Sequence, residues 1–200
     1  MCYCSYAETI DVLYSTNTIR IASTYLLCNL DRLLLPARLE RLRSVELLWH
    51  FPEQPGHQVS IDPITPEVFC ELLQAIPRHL HGLRDLVICL TVNRFDQREW
   101  PVPLGSSFLR WGEVNLLEPL EGSIRVMKHL RNCELMLPAS FYNHWRVKER
   151  GEPLEYGWGC KEEPEELWRS LGGDNEVHGA LKGYWIGLGK VDLHLTAPCL

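Results

Sequence analysis

The 200-residue sequence predicts an α/β fold in which repeated β-α units give a mainly parallel, leucine-rich-repeat-like sheet with helices on one side and a C-terminal β-hairpin. An internal repeat is the main observation behind this prediction. Three segments begin with leucine and arginine and continue with apolar residues at alternate positions: RLRSVELLW (41–49), GLRDLVICL (82–90) and HLRNCELML (129–137). A helical pattern precedes each segment, and about a dozen helical residues between strands is what a parallel crossover needs.

The strands are predicted from the alternation. One face of each repeat is wholly apolar, as expected of a strand half-buried in a sheet. The segment 82–90 is apolar on most of both faces, so we place it centrally, and TIRI (18–21) supplies an earlier strand. The order then reads β-α-β-α-β-α-β. A doubly wound sheet is the alternative, but it needs both faces of its strands to be apolar, so we favour helices on one side.

Helix signals separate the strands. The first helix begins at a Ser23 cap and ends at Pro36, and the second begins with Thr65 as cap and Pro66 at its first position. The third, PLEGSIRVMKHL, is weaker because Gly122 costs about 1 kcal/mol relative to alanine in a helix interior.

We interpret the chain as a single domain, residues 1–200, in which a β-α repeat body (1–137) is followed by an acidic C-terminal extension (138–200). Of the formal net charge of −6, residues 151–200 carry −5, from four basic and nine acidic side chains. Short helices are predicted around Phe141 and Trp145 and in KEEPEELWRSLGG. The segments GYWIGL and KVDLHLT predict the closing hairpin.

Composition narrows the classes of function. An acidic extension and a near-neutral body give no electrostatic footprint for nucleic acid. The longest apolar stretch, TYLLCNLDRLLL, is too interrupted to span a bilayer, and no secretory signal pattern is present. The eight cysteines include several within helix and strand patterns, where a thiol behaves as a small hydrophobic group. We therefore expect an intracellular protein, cytoplasmic or nuclear, with no nucleic-acid or membrane partner.

Candidate chemical motifs have simpler structural interpretations. His79-x-His81 lies where a helix ends, and cationic groups are favourable beside exposed carbonyls there. Cys2-x-Cys4 lacks a second pair at zinc spacing. GYWIGLGK fails the phosphate-loop spacing and precedes a strand rather than a helix. No catalytic residue, cofactor site or metal site is therefore predicted, and we expect a protein that is not an enzyme.

A cluster of arginines precedes the second strand. A solvated turn between helix and strand is the interpretation we favour over a phosphate site. The cluster comprises Arg32, Arg38, Arg41 and Arg43.

Aromatic residues are the remaining candidates for a functional site. They lie at the end of one strand and in the long connection that follows the next one. Gathered at the carboxyl edge of the sheet, they would form a patch suited to a protein partner. Alternatively, they fold back and fill the open end of the sheet. The five residues are Trp49, Phe51, Trp100, Phe108 and Trp111.

The amino-terminal segment YAETIDVLYSTNTIRI, followed by a helix and RLRSVELLWHF, resembles a large family of fungal proteins with a domain of unknown function. The LYSTNT segment is the more specific part, Ile19 stands where a phenylalanine is common, and the resemblance covers roughly residues 4–137. The matching residues are Cys4, Tyr6, Glu8, Ile10, Leu13, Tyr14, Ser15, Thr16, Asn17 and Thr18, with Leu42, Arg43 and Trp49 downstream.

In such proteins this segment looks like the continuation of an F-box-like region, a short helical unit that is missing here. The resemblance thus implies a shortened form or an incomplete amino terminus. An F-box would imply a substrate adaptor for a ubiquitin ligase, but only if that upstream unit exists.

Together these observations predict a non-catalytic protein-interaction module related to F-box-associated domains, with an unknown protein partner. The alternative is an enzyme or small-ligand binder. It would use a pocket between the long loops 50–64 and 92–115 and the C-terminal hairpin.

Overall fold

The structure is a computed structural model. It describes residues 3–51, 65–92, 110–138, 141–142, 145–146, 166–172 and 181–189.

The described strands form one six-stranded sheet with the spatial order β1-β2-β3-β4-β6-β5. Neighbouring strands are parallel from β1 to β6, and only β5 runs antiparallel, against β6. The predicted α/β class, the mainly parallel sheet and the sequential placement of the first four strands are confirmed. The strands are β1 Thr18–Ile21, β2 Ser44–Phe51, β3 Asp85–Val92, β4 Asn132–Leu137, β5 Leu167–Ser170 and β6 Gly183–Leu188.

In the C-terminal extension one prediction is wrong and another is not confirmed. The helix predicted in KEEPEELWRSLGG is wrong at Leu167–Ser170, which is β5. Pairing with β6 satisfies the backbone of this segment and outweighs the helix-start signal of its acidic residues. The predicted hairpin is not confirmed. GYWIGL does form β6, but β6 pairs with β4 and β5, and its expected partner KVDLHLT lies outside the described residues.

The helices precede the strands as predicted, with one change. The helix expected between Ser23 and Pro36 is divided, because Asn29 ends one turn and starts the next, and Leu35 before Pro36 is extended. Ser23 and Thr65 do cap their helices through the side-chain oxygen. The helices are α1 Tyr3–Thr16, α2 Thr24–Cys28, α3 Leu30–Leu33, α4 Pro36–Leu39, α5 Pro66–His79 and α6 Glu118–Val126, and a π-helical turn, Glu113–Leu117, leads into α6.

The core lies on one face of the sheet. In β2, β3 and β4 every second residue is buried, and the leucine of each repeat, at positions 42, 83 and 130, is also buried. On β2 the ring of Trp49 meets that of Phe69 from α5 edge to face, with centroids 5.4 Å apart. Ser123 of α6 donates a hydrogen bond of 2.7 Å to the carbonyl oxygen of Leu73 in α5. The helices therefore cover this face as a connected layer.

Four cysteines are free thiols: Cys28, Cys70, Cys89 and Cys133. Cys133 lies in the core, and burial, together with the nearby Glu134, raises the pKa of its thiol to about 12. This thiol stays protonated and behaves as an apolar side chain, as the sequence predicts.

Within the described segments, no helix is long and apolar enough to cross a bilayer.

Candidate functional site

The second face of the sheet is formed by the alternate side chains that do not enter the core. One row on this face crosses every described strand, and no side chain in it is buried. This face is therefore open to solvent to a degree that the helix-covered face is not. Along the sheet the row runs Arg20, Glu46, Val87, Glu134, Trp185 and Trp168.

Two tryptophans end this row. Trp168 of β5 and Trp185 of β6 are cross-strand neighbours, and their ring centroids are 4.9 Å apart at an interplanar angle of 62°. Their exposed fractions are 49% and 40%. An aromatic pair contributes beyond its buried area, yet here between two fifths and one half of each side chain still faces solvent. Such paired exposure marks a binding surface more often than an isolated exposed ring does.

Glycines of β6 explain how these large side chains lie on the sheet. Gly183 and Gly187 flank Trp185 on the same face, two residues to either side. A Cβ at Gly183 would lie 2.5 Å from Cζ2 of Trp168, and one at Gly187 would lie 2.9 Å from Sδ of Met136. Each glycine thus leaves the space that a neighbouring strand's side chain occupies. The two glycines of GYWIGL therefore make room for the side chains of Trp168 and Met136.

Charge is unevenly distributed along the row. At the β1 end Arg20 and Glu46 form an ion pair of 2.9 Å. The thiol of Cys89 also donates to Glu46, at 3.7 Å. At the other end Glu134 is the direct β4 neighbour of Trp185. Among the described contacts Glu134 has no ion-pair partner, so a carboxylate accompanies the tryptophans without a fixed cation.

An ion cluster under β5 anchors the tryptophan strand. Arg169 points toward the helices, where its Nε donates to Glu121 at 2.7 Å and its Nη2 donates to Glu113. Burial by itself lowers the pKa of Arg169, but the hydrogen bonds to both glutamates raise it above the ordinary arginine value. The hydroxyl of Tyr184 donates to Glu121 at 3.5 Å, and burial raises the pKa of this phenol. Both groups therefore keep their ordinary protonation state.

Two of the five predicted aromatic side chains are described, and neither lies on this face. Trp49 is fully buried and packs on Phe69, so its ring fills the core, as in the alternative weighed for these aromatics. Trp111 is partly buried, with its ring centroid 6.0 Å from that of Phe141. Trp100, Phe108 and the side chain of Phe51 lie outside the described residues.

The sequence analysis does not identify the two exposed tryptophans as candidates. It predicts a helix over Trp168, whereas this residue belongs to β5. For Trp185 a signal exists: it stands between two glycines at alternate positions of a strand, where one face needs room. Within the described segments, no group of three or more metal-ligating side chains comes together.

Comparison with known proteins identifies a family. The model of a domain of unknown function, DUF7730, matches residues 1–153. Neither the curated proteins nor the solved structures contain a match to this chain. The match includes β1 to β4, whereas β5 and β6 with the two tryptophans follow it. Because the match covers about three quarters of the sequence, the chain belongs to the DUF7730 family.

Proposed function

We propose that this chain is a non-catalytic protein-interaction module whose open sheet face receives a partner segment carrying lysine or arginine side chains. The observation that carries the proposal is the exposed Trp168–Trp185 pair with Glu134 beside it.

Chemistry favours a cationic partner over a purely apolar one. The face of an indole ring attracts an ammonium or guanidinium group, at about 0.5–1 kcal/mol when exposed and about 2 kcal/mol when desolvated. The carboxylate of Glu134 on the neighbouring strand adds attraction of the same sign. Arg20 lies at the far end of the row and is already paired with Glu46, so no free cation of this row opposes the approach.

The architecture supports a role as a binding surface. We propose that the β-α repeats are leucine-rich-repeat-like, since a one-sided helix layer leaves one sheet face for partners in such arrays. We also propose that the protein is of fungal origin and is related to F-box-associated domains. A ubiquitin-ligase adaptor role then requires an F-box-like unit upstream. Binding of the F-box-binding adaptor by an upstream-extended chain would support it, and no binding by that chain would contradict it.

An enzyme or small-ligand binder between loops 50–64 and 92–115 stays a prediction. Most residues of both loops lie outside the described segments, and no described contact favours that site.

We call the part of the open sheet face that carries Trp168, Trp185 and Glu134 the tryptophan face. Its binding can be tested with three short peptides of equal length, in which serine alternates with lysine, arginine or glutamate. We expect the lysine and arginine peptides to shift the indole N–H signals of Trp168 and Trp185 in a nitrogen-15 NMR titration. Replacing Trp185 by alanine should weaken binding about tenfold or more, since buried aromatic anchors dominate interface energies.

Tyr25→Ala is the matched control, because Tyr25 is an aromatic residue of α2 with 68% exposure and lies off this face. It should bind the peptides like the unmodified chain. Equal affinity for the glutamate peptide, or unchanged binding by Trp185→Ala, would contradict the proposal.

A further inference from the structure

A second surface feature lies at the edge of the sheet where β2, β3 and β4 begin, which is the amino-terminal edge of these parallel strands. A cleft of about 740 Å³ opens there, within the range of small-molecule sites. Six cationic or titratable basic side chains line it. They are Arg43, His81, Arg84, Lys128, His129 and Arg131.

The internal repeat builds this cleft. Each repeat starts with leucine and arginine, and the leucines at 42, 83 and 130 enter the core. The next residue in each repeat is an arginine, at 43, 84 or 131, and each arginine comes directly before a strand. The first residues of these three strands are in register. The backbone N–H of Arg84 donates to the carbonyl oxygen of Arg43 at 2.8 Å, and that of Arg131 donates to Arg84 at 2.7 Å. Since neighbouring strands lie roughly 5 Å apart, the three arginines stand side by side over roughly 10 Å.

One arginine is held in place. Nη1 of Arg43 donates to the carbonyl oxygen of Gly82 at 2.7 Å, and the side chain is half-buried. A Cβ at Gly82 would lie 2.4 Å from that Nη1 and 2.3 Å from the carbonyl oxygen of Glu40. Glycine at this position thus allows the guanidinium to lie against the backbone. Arg43 therefore lines the cleft with a guanidinium that is fixed at Nη1.

Helix ends explain only part of this charge. His81 follows the end of α5, and Lys128 follows the end of α6, where carbonyl groups attract cations. Each helix end is equivalent to about half a negative charge, so two ends amount to about −1. The cleft carries four permanent cations and one carboxylate, Glu40, which is a net +3 before either histidine is protonated. A positive surplus of this size in a chain of net charge −6 is a local feature.

Other arginines of the same region do not share this arrangement. Arg38 and Arg41 both bind the carboxylate of Asp11 in α1, at 2.6 and 2.7 Å. Among the described residues, the four cations of the cleft form no ion pair. The solvated-turn interpretation thus does not describe Arg43, which belongs with Arg84 and Arg131 rather than with its sequence neighbours.

We propose that this cleft binds a small ligand with clustered phosphoryl groups. Phosphate oxygens offer several acceptors and more than one charge, and they match the donor fork of arginine. The ligand is either a free polyphosphorylated compound or the headgroup of a phosphorylated lipid. This site is independent of the tryptophan face, which lies on β5 and β6.

The test uses inorganic tripolyphosphate as probe, titrated into the full chain by calorimetry at physiological ionic strength. We expect one probe molecule per chain. The double variant Arg84→Gln/Arg131→Gln should weaken binding about tenfold or more, because it removes charge-assisted hydrogen bonds. Both side chains are exposed, so the variant should fold, which circular dichroism verifies. Arg32→Gln, an exposed arginine of α3 outside the cleft, makes a matched control and should bind as the unmodified chain does.

Further arms identify the ligand class. Sedimentation with phosphatidylcholine vesicles that contain a phosphoinositide, against vesicles without it, separates the lipid source from the free one. A positive result in either arm that the double variant loses supports the proposal. Citrate binding as tightly as tripolyphosphate would overturn the phosphoryl assignment, and tighter binding of a duplex oligonucleotide would replace it with nucleic acid. No binding of any phosphoryl probe, or binding that the double variant retains, would overturn the site.

Discussion

Replacing Trp49 by alanine is expected to lower the free energy of unfolding by about 3–5 kcal/mol, the range for removing a large aromatic side chain from a core. Trp49 of β2 is fully buried on the helix-covered face, and its ring packs edge to face on Phe69. The substitution removes apolar contacts from both β2 and α5, and a parallel sheet under a helix layer cannot collapse freely into the space. Urea denaturation followed by circular dichroism measures the loss.

The matched control is the same substitution on the other face. Trp185→Ala removes an indole that is 40% exposed, and we expect its effect on unfolding to stay within about 1 kcal/mol. Equal losses for the two variants would show that Trp49 is not a core residue. The two variants also separate stability from binding. Trp185→Ala should weaken the binding of the lysine and arginine peptides, whereas Trp49→Ala, at a temperature where it is folded, should bind them normally.

Replacing Arg169 by methionine is expected to lower the free energy of unfolding by about 3 kcal/mol. Methionine replaces the aliphatic part of the arginine side chain but leaves Glu113 and Glu121 close together without their shared cation. Removing one partner of a buried ion pair costs about 3–5 kcal/mol, and the lower end applies because Arg169 is 24% exposed. Chemical denaturation measures this loss.

Two comparisons make the Arg169 result specific. Arg20→Met breaks the more exposed pair with Glu46 and should cost at most about 1 kcal/mol. Adding Glu121→Gln to Arg169→Met should recover part of the loss, because one of the two carboxylates that lose the Arg169 guanidinium becomes neutral, although Glu121 also pairs with Arg125 at 3.4 Å. A double variant that is no more stable than Arg169→Met would argue that lost packing, rather than uncompensated charge, causes the effect.

The sequence predicts the strands of the repeat body well because their signal is local. Alternation in 41–49, 82–90 and 129–137 specifies which side chains enter the core, and the structure buries that face. The prediction fails where tertiary pairing decides. In Leu167–Ser170 four residues give too short an alternation to compete with the acidic helix-start pattern before them, and only β6 makes them a strand.

The candidate sites likewise combine a local sequence signal with an arrangement that depends on strand pairing. The leucine-arginine motif is visible in the sequence, but its arginines meet only because parallel pairing aligns the three strand starts. Considered along the chain, Arg43 groups with Arg38 and Arg41; considered across the sheet, it groups with Arg84. The tryptophan pair likewise depends on strands separated by a connection of twelve residues, 171–182.

The two proposed sites differ in their relation to the family. The arginine cleft lies within the segment that matches DUF7730, and the tryptophan face depends on strands beyond it. Phosphoryl binding is therefore the property to test in other members of the family. Recognition of basic segments is the property to test in chains that also carry β5 and β6.

The described sheet ends on both sides in strands of only four residues, β1 and β5. An edge strand offers unpaired backbone groups to which another chain can add a strand of its own, and short edges limit this kind of pairing. The longest strands, β2 and β3, are paired on both sides. The sheet is therefore poorly suited to growth by strand addition, whether by a partner or in aggregation, and its face is the better place for recognition.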